Sequence, residues 1–447
     1  MEEVSFIDLF AGMGGIRLGF QNGFKENNLK TNCVLTSEIK KHAITALKHN
    51  FKDDNFVGDI TLLNEKEVDD FDFLLAGFPC QTFSSAGNRD GFCDTRGTMF
   101  FHIERLLKEK SPFGFLLENV EGLIRHDLAN KNNEIGRTLK TILASLEKLG
   151  YNVSWKLIDS KDFGLAQSRK RVYIVGTKGN KINLNLLKKK KTILFKDIKE
   201  TGIKTIDSNF TRKLLSCYDI TELHGKAIKD KRGGINNIHS WEFGLKGKIS
   251  KSQILLLEQL FKERRRKCWA EEIGIDWMDG MPLTLSQIET FFDNKNLKNM
   301  LIDLVKKGYI KYEFPKSKVR IKQDDGSYLI RREYNENKNK GYNIVTGKLS
   351  FEFSKILDDN DLTPTLVASD VEKLGVIDGE GIRKLTLREG LRLLGYPESY
   401  SLDIFENTNS DRRKAFDLLG NTVAVPVIQQ ISELLAKNYK KRINYVK

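Results

Sequence analysis

The chain has 447 residues, 40% of them hydrophobic and 30% charged, with a formal net charge of +14. That length allows two domains with separate cores, and no apolar run approaches the roughly 20 residues that a membrane span requires. The excess of Lys and Arg fits a polyanionic partner as well as a merely basic soluble protein. Four lysines at 188–191 and the run Arg264, Arg265, Arg266, Lys267 put much of that charge in the middle of the chain. The five cysteines, Cys33, Cys80, Cys93, Cys217 and Cys268, are scattered without paired metal-ligand spacing. No metal site or disulfide framework is expected, and a reducing, cytoplasmic location is. The acidic start runs straight into an apolar stretch, so no signal peptide is expected.

Residues 4–10 form the first predicted strand, and they end in a turn containing Gly12, Gly14 and Gly15. Glycines there let a backbone approach a ligand, and the helix that follows offers free N–H groups. A second strand at 33–37 ends at Glu38, placed where a carboxylate can take ribose hydroxyls. Asp59 and Ile60 sit at the next such edge, after a helix at 40–50, and Asp59 can accept from an adenine amino group. The pattern fits an adenosine-containing cofactor, or else a tight turn with two surface acids. It lacks the G-x-G-x-x-G spacing of a nicotinamide-dependent oxidoreductase.

A short apolar run at 71–76 reads as an interior strand of a parallel sheet. Gly77 and Pro79 then turn the chain, leaving Cys80 just beyond a strand's carboxyl end, where open α/β sheets bind ligands. A thiolate there can attack an electron-poor carbon; the plain alternative is a buried structural cysteine. A helix at 99–110, a strand at 113–117 followed by Glu118, a helix at 136–149 and a strand at 172–176 continue the alternation. This is a doubly wound, mostly parallel α/β sheet. From about 180 to 381 the rhythm gives way to irregular, lysine- and asparagine-rich sequence. Helices at 385–394 and 425–438 restore it. The expected organisation is a core domain from 1–180 plus 382–447 and an inserted domain at 181–381.

Taken together, DLFAGMGG from Asp8, GFPCQ from Gly77, DTRGT from Asp94, ENV from Glu118, QSRKR from Gln167, a block at 383–397 and GNTV from Gly420 resemble the DNA (cytosine-5)-methyltransferases. The likeness is to the bacterial restriction-modification type, with the motifs in family order over about half of the chain. Residues 363–368 resemble the end of that family's recognition domain. The resemblance implies the Rossmann-like fold of S-adenosylmethionine-dependent methyltransferases and S-adenosylmethionine as cofactor. It implies double-stranded DNA as substrate and a smaller target-recognition domain as the insert. It also implies a cognate restriction endonuclease as functional counterpart without a stable complex, and a monomer. An RNA methyltransferase of the same chemistry and a catalytically silent DNA-binding relative are the alternatives.

By the same resemblance, Cys80 adds to cytosine C6, Glu118 acts at N3 and the exocyclic amine, and Arg169 and Arg171 orient Glu118 and the base. The target carbon is inaccessible inside a duplex, so the cytosine is extruded. Phe10, Gly12, Gly14, Gly15, Glu38, Asp59, Ile60, Pro79 and Asn421 are expected on the cofactor side. Gln81, Ser84 and Arg96 are expected at the DNA, in a loop that closes over it. Within the insert, helical spacing at 285–292 and 297–307 precedes a basic extended stretch at 316–322 and a turn at 324–326. Two short helices and a basic hairpin at about 283–345 resemble a winged helix, with Lys316, Lys318 and Arg320 as phosphate contacts; a generic helical insertion reads equally well. Trp241, Trp269 and Trp277 are expected to pack in a core.

Overall fold

The computed structural model describes residues 3–52, 55–79, 99–128, 130, 133–231, 234–322, 328–346 and 351–446, with side chains described as far as 442. The chain divides into two compact units, Met1–Glu200 with Asp358–Glu372 and Leu385–Lys447, and Thr201–Leu357 with Lys373–Lys384. The chain therefore passes between the units four times.

The first unit opens with β1 (Glu3–Leu9), α1 (Gly15–Lys25), β2 (Lys30–Ser37), α2 (Lys41–Asn50), β3 (Phe56–Val57) and β4 (Phe73–Gly77). There follow α3 (Met99–Lys110), β5 (Gly114–Val120), α4 (Gly122–Arg125), α5 (Arg137–Lys148), β6 (Asn152–Asp159) and β7 (Lys170–Thr177). The strands form one sheet in the order β3-β2-β1-β4-β5-β7-β6. The first five are parallel, and β7 is antiparallel to both β5 and β6. Alternation along each strand feeds two cores. Val4, Phe6, Phe73, Leu75, Leu116 and Val175 face one; Ile7, Leu9, Leu74, Ala76, Phe115 and Leu117 face the other. Burial on both faces is why these strands read as continuous apolar runs. Strand β6 was not expected, because as a half-exposed edge strand it interleaves Asn152, Ser154 and Lys156 with its apolar residues.

Strand order reverses between β1 and β4, so their carboxyl ends flank the crevice at which such sheets bind ligands. Strand β5 runs to Val120 rather than stopping at 117, because Glu118, Asn119 and Val120 remain paired with Tyr173, Val172 and Arg171. Glu118 is thus a strand residue. The first unit extends past 180 to Glu200 because the backbone N–H groups of Phe195 and Lys196 donate to Asp361 and Asp359 carbonyls, at 3.2 and 2.9 Å.

In the second unit, a five-stranded sheet runs Gly381–Lys384, Leu374–Asp378, Lys355–Ile356, Ala227–Ile228, Asn237–Ile238. A separate apolar core gathers the helices Lys251–Glu263, Lys267–Ile273, Leu285–Glu289 and Leu297–Lys307 with strands Ile310–Glu313 and Gly341–Ile344. Lys316–Lys322 and Tyr328–Tyr334 form an antiparallel hairpin; the expected turn at 324–326 lies outside the described residues. Trp241 and Trp269 are buried in that core, whereas Trp277 is 42% exposed and donates its indole N–H to the Arg265 carbonyl. Trp241 and Trp269 are core residues, and Trp277 is held at the surface by that hydrogen bond.

Helix α1 lies against the carboxyl-terminal helix Val425–Val446 through glycines one turn apart. A Cβ at Gly19 would stand 2.5 Å from Ile428 Cβ and 2.9 Å from the Val425 carbonyl, and one at Gly23 would meet the Gln429 carbonyl at 2.5 Å. Gly19→Val is expected to lower stability by about 1–3 kcal/mol through overpacking, read as a fall in the urea midpoint. An unchanged midpoint would refute this helix contact.

Candidate active site

The turn after β1 is built on left-handed backbone. Phe10 has φ +54°, Gly12 +56° and Gly14 +77°. A bulky residue with positive φ is strained, at a cost of about 1–3 kcal/mol that the surrounding structure must hold in place. Glu38, directly after β2, supplies part of that hold. One carboxylate oxygen accepts the Gly12 N–H and the other accepts those of Ile39 and Lys40, each at 2.8 Å. A carboxylate has about four lone-pair sites, so one donor more can be taken. A Cβ on Gly12 would meet nothing within 4 Å, so the turn borders open space, whereas one on Gly15 would collide with Tyr396 Oη and Thr422 Oγ1. Gly14 and Gly15 open α1, whose start has no side-chain cap; the N–H groups at such a start suit an anion or a polar ligand.

Asp59 caps the turn Ile60–Leu62, accepting the Thr61 N–H at 2.8 Å. That backbone hydrogen bond holds its carboxyl below the usual range. Ile60 is buried, and Pro79 is exposed just past β4. Asn421 is the last residue of the helix Asn409–Asn421, and its amide donates to Asp417, both the carbonyl and the carboxylate. Asp417 in turn binds Lys40 Nζ at 2.7 Å and His42 Nε2 at 2.9 Å. Asn421 is thereby linked to the segment that follows Glu38.

On the other side of the crevice, Glu118 is only 9% exposed and forms an ion pair with Arg171 Nε at 3.0 Å. Burial pushes its carboxyl above the ordinary range, against the pull of Arg171 and then Arg169. The two arginines divide their work. Arg169 donates to the carbonyls of Leu366 at 2.9 Å, Gly420 at 3.1 Å and Thr422 at 2.5 Å. Its own pKa is lowered to about 10, chiefly by burial. Arg171 alone touches Glu118; Arg169 acts on it by charge at a distance.

Cys80, Gln81, Ser84 and Arg96 lie outside the described residues. The strand that leads to Cys80 is described: Gly77 pairs with Glu118 across β4 and β5, and Asn119 Nδ2 donates to the Phe78 carbonyl at 3.1 Å. Asn119 therefore fixes the backbone two residues before the cysteine. Sequence reasoning assigned Asn119 no role, although it adjoins Glu118. Also unassigned were Tyr396 and Tyr400. Tyr396 Oη and Thr422 Oγ1 share a hydrogen bond at 2.5 Å, and Tyr400 Oη donates to the Met13 carbonyl at 2.6 Å. Ile39, beside Glu38, was missed too; it is apolar yet 70% exposed. Lys316, Lys318 and Arg320 belong to the second unit, on the hairpin strand Lys316–Lys322.

Among the described residues, no helix is long and apolar enough to cross a membrane. The fold is shared with solved methyltransferases: the Entamoeba histolytica methyltransferase EhMeth aligns over 98% of this chain and 99% of that one, at 15% identity and a TM-score of 0.53. In sequence, the chain is 52% identical over 435 residues to the Type II methyltransferase M.NlaIV of Neisseria lactamica, spanning 97% of this chain and 99% of that protein. It is 51% identical, with the same coverage, to the Type II methyltransferase M.NgoBV of Neisseria gonorrhoeae. A profile of C-5 cytosine-specific DNA methylases matches residues 4–437. The chain belongs to the C-5 cytosine-specific DNA methylases.

Proposed function

We propose that this DNA cytosine-5 methyltransferase uses Cys80 as nucleophile, Glu118 as the group that holds and protonates the base, and the β1–β2 edge as the cofactor seat. The observation that carries the reading is the buried Glu118–Arg171 pair, directly across from the backbone that leads to Cys80. Cytosine C5 is a poor nucleophile in the aromatic ring. Bond formation between the Cys80 sulfur and C6 moves the C5–C6 π pair toward C5, and a proton from Glu118 to N3 balances the charge. Burial keeps that proton on Glu118 to a higher pH than an exposed carboxyl would allow. Once C5 has been methylated it gives its proton to water, the electron pair of that C–H bond re-forms the C5–C6 π bond and expels Cys80 as thiolate, and N3 returns its proton to the Glu118 carboxylate.

The residues around the glycine turn fit S-adenosylmethionine. Gly12 borders open space, Glu38 retains acceptor capacity, Asp59 offers an exposed carboxylate, and Ile39 presents an apolar surface suited to a flat ring. Phe10, Gly14, Gly15, Ile60, Pro79 and Asn421 complete the proposed seat. When bound, S-adenosylmethionine supplies an electrophilic sulfonium methyl. Pairing with a restriction endonuclease gives the activity its purpose, protection of the host's own DNA, and places it in the cytoplasm with the chromosome.

Cys80→Ala is expected to abolish transfer of labelled methyl to DNA while leaving cofactor binding nearly unchanged; substantial residual turnover would sink the covalent mechanism. Glu38→Ala and Asp59→Ala are each expected to weaken S-adenosylmethionine binding by roughly 1–3 kcal/mol where the lost group is buried in the complex. Calorimetry showing full affinity in both variants would refute the seat.

The pH profile tests Glu118. The rate should fall on the alkaline side as Glu118 loses its proton. Arg171 favours the carboxylate, so Arg171→Ala should raise the Glu118 pKa further and move that limb to higher pH. Glu118→Gln should remove the limb and slow single-turnover methylation by about 10²–10⁴. A limb that stays in place in both variants would assign the titration to another group.

A further inference from the structure

The second unit contains a small module of helices and antiparallel strands around its own apolar core. Its core order is helix Lys251–Glu263, a short extended segment at Leu283, helix Leu285–Glu289, helix Leu297–Lys307, strand Ile310–Glu313, the hairpin Lys316–Lys322 with Tyr328–Tyr334, and strand Gly341–Ile344. Leu283 and Tyr342 exchange backbone hydrogen bonds at 3.0 and 2.7 Å, and Gly341–Ile344 pairs antiparallel with Ile310–Glu313. Three helices, a small three-stranded sheet and a hairpin between its last two strands make the winged-helix arrangement. The helix Lys267–Ile273 is an addition between the first helix and Leu283.

Helix Leu297–Lys307 buries Leu297, Met300, Leu301 and Leu304 in the module's core. The opposite face carries Lys298, Asn299, Ile302 and Lys306, all exposed, with Lys295 one turn before. Asp303 borders that face, and its carboxylate is taken up by Lys307 and Gln253. Ile302 is 52% exposed at its centre, an apolar side chain with no core to join but suited to a thymine methyl, while Asn and Lys suit adenine and guanine edges. Eleven residues span about 16 Å, a length that lies within a major groove.

The hairpin is two-faced. Residues opposite one another in an antiparallel pair share a face, and the register puts Lys316, Lys318, Arg320 and Lys322 with Tyr334, Arg332, Ile330 and Tyr328. That face has five cations and no carboxylate of its own; Glu333, the hairpin's one acid among the described residues, is on the other and pairs with Arg331. At the base, Arg332 donates to the carbonyls of Asp276 and Trp277, and Lys318 lies 3.7 Å from Asp276. Toward the tip, Arg320 and Lys322 are exposed, beside the exposed Tyr328 and Ile330. A two-stranded ribbon with apolar groups in water is marginal alone, and this one gains a partner at a polyanion.

We infer that the outer face of helix Leu297–Lys307 reads base edges in the major groove, with Asn299 and Ile302 setting the methylated sequence. The basic face of the hairpin grips the adjoining phosphates. The inference rests on the DNA methyltransferase reading above and adds which elements of the chain choose the target.

The full-length protein and single-substitution variants are incubated with a randomised duplex DNA library, and methylated cytosines are mapped by sequencing. Asn299→Ala and Ile302→Ala should each relax the motif at one base pair, losing about 5- to 150-fold in discrimination there. Arg320→Ala and Lys322→Ala should instead weaken binding on every sequence and reduce the slope of log affinity against log salt by about 0.9 per lost phosphate contact. These side chains are exposed, and circular dichroism with thermal melts of the same preparations reports that both units of each variant are folded. An unchanged motif in folded Asn299 and Ile302 variants, or losses equal on all sequences, would overturn the inference. Failure of the unsubstituted protein to methylate DNA would instead strike the proposed function itself.

Discussion

The first unit closes on a buried guanidinium. Arg169 gathers three carbonyls from segments 197, 251 and 253 residues further along the chain, and so fastens the returning stretch and the carboxyl-terminal motif onto the entrance of β7. A hydrogen bond to a charged group contributes about 1.5–3 kcal/mol, so neither segment can drift without leaving part of that buried guanidinium unsatisfied. Everything at the catalytic edge inherits this constraint: Thr422 meets Tyr396, Tyr396 and Thr422 crowd Gly15, and Gly15 opens the helix beneath the glycine turn.

The same guanidinium helps to set the electrostatics of the site without touching it. Glu118 sits where burial favours the acid form, while two cations favour the carboxylate. With Arg171 in contact and Arg169 withdrawn to the carbonyls, burial prevails and the carboxyl lies above its ordinary range. Had both arginines forked onto Glu118, the group would be a fixed anion, suited to binding a cation and useless as an acid. Dividing the pair between the backbone carbonyls and the carboxylate leaves Glu118 one contacting cation instead of two.

The buried parallel strands were legible because burial on both faces leaves a run of apolar residues, and the positions of Glu38 and Glu118 at strand ends followed from those strands; Asp59 follows only the two-residue strand Phe56–Val57. Strand β6 was hidden by its half-exposed, polar-interleaved edge. The stretch to Glu200 was hidden because the backbone contacts of Phe195 and Lys196 carry no side-chain signature. Asn119 was missed for a similar reason: its work is a single hydrogen bond to a neighbouring strand's carbonyl, fixed by register and invisible to composition. Alternation suggested that Arg169 and Arg171 share a face, yet it could not say that one side chain would be claimed by backbone 200 residues away.

The fourfold passage of the chain between units bears on how such enzymes could trade specificities. A piece cut at 201 and 357 would carry the strand Lys355–Ile356 but leave behind its neighbour Leu374–Asp378 and the outer strand Gly381–Lys384. It would also strand Asp378, which accepts the N–H groups of Gly202 and Ile203 while pairing with Arg383. Recombination that moves a single block would therefore yield an unfinished sheet with an open edge. A viable exchange of the second unit must move both stretches together, so the intervening Asp358–Glu372, though fastened to the first unit, would travel with the insert in any one-piece exchange and would have to suit its new host.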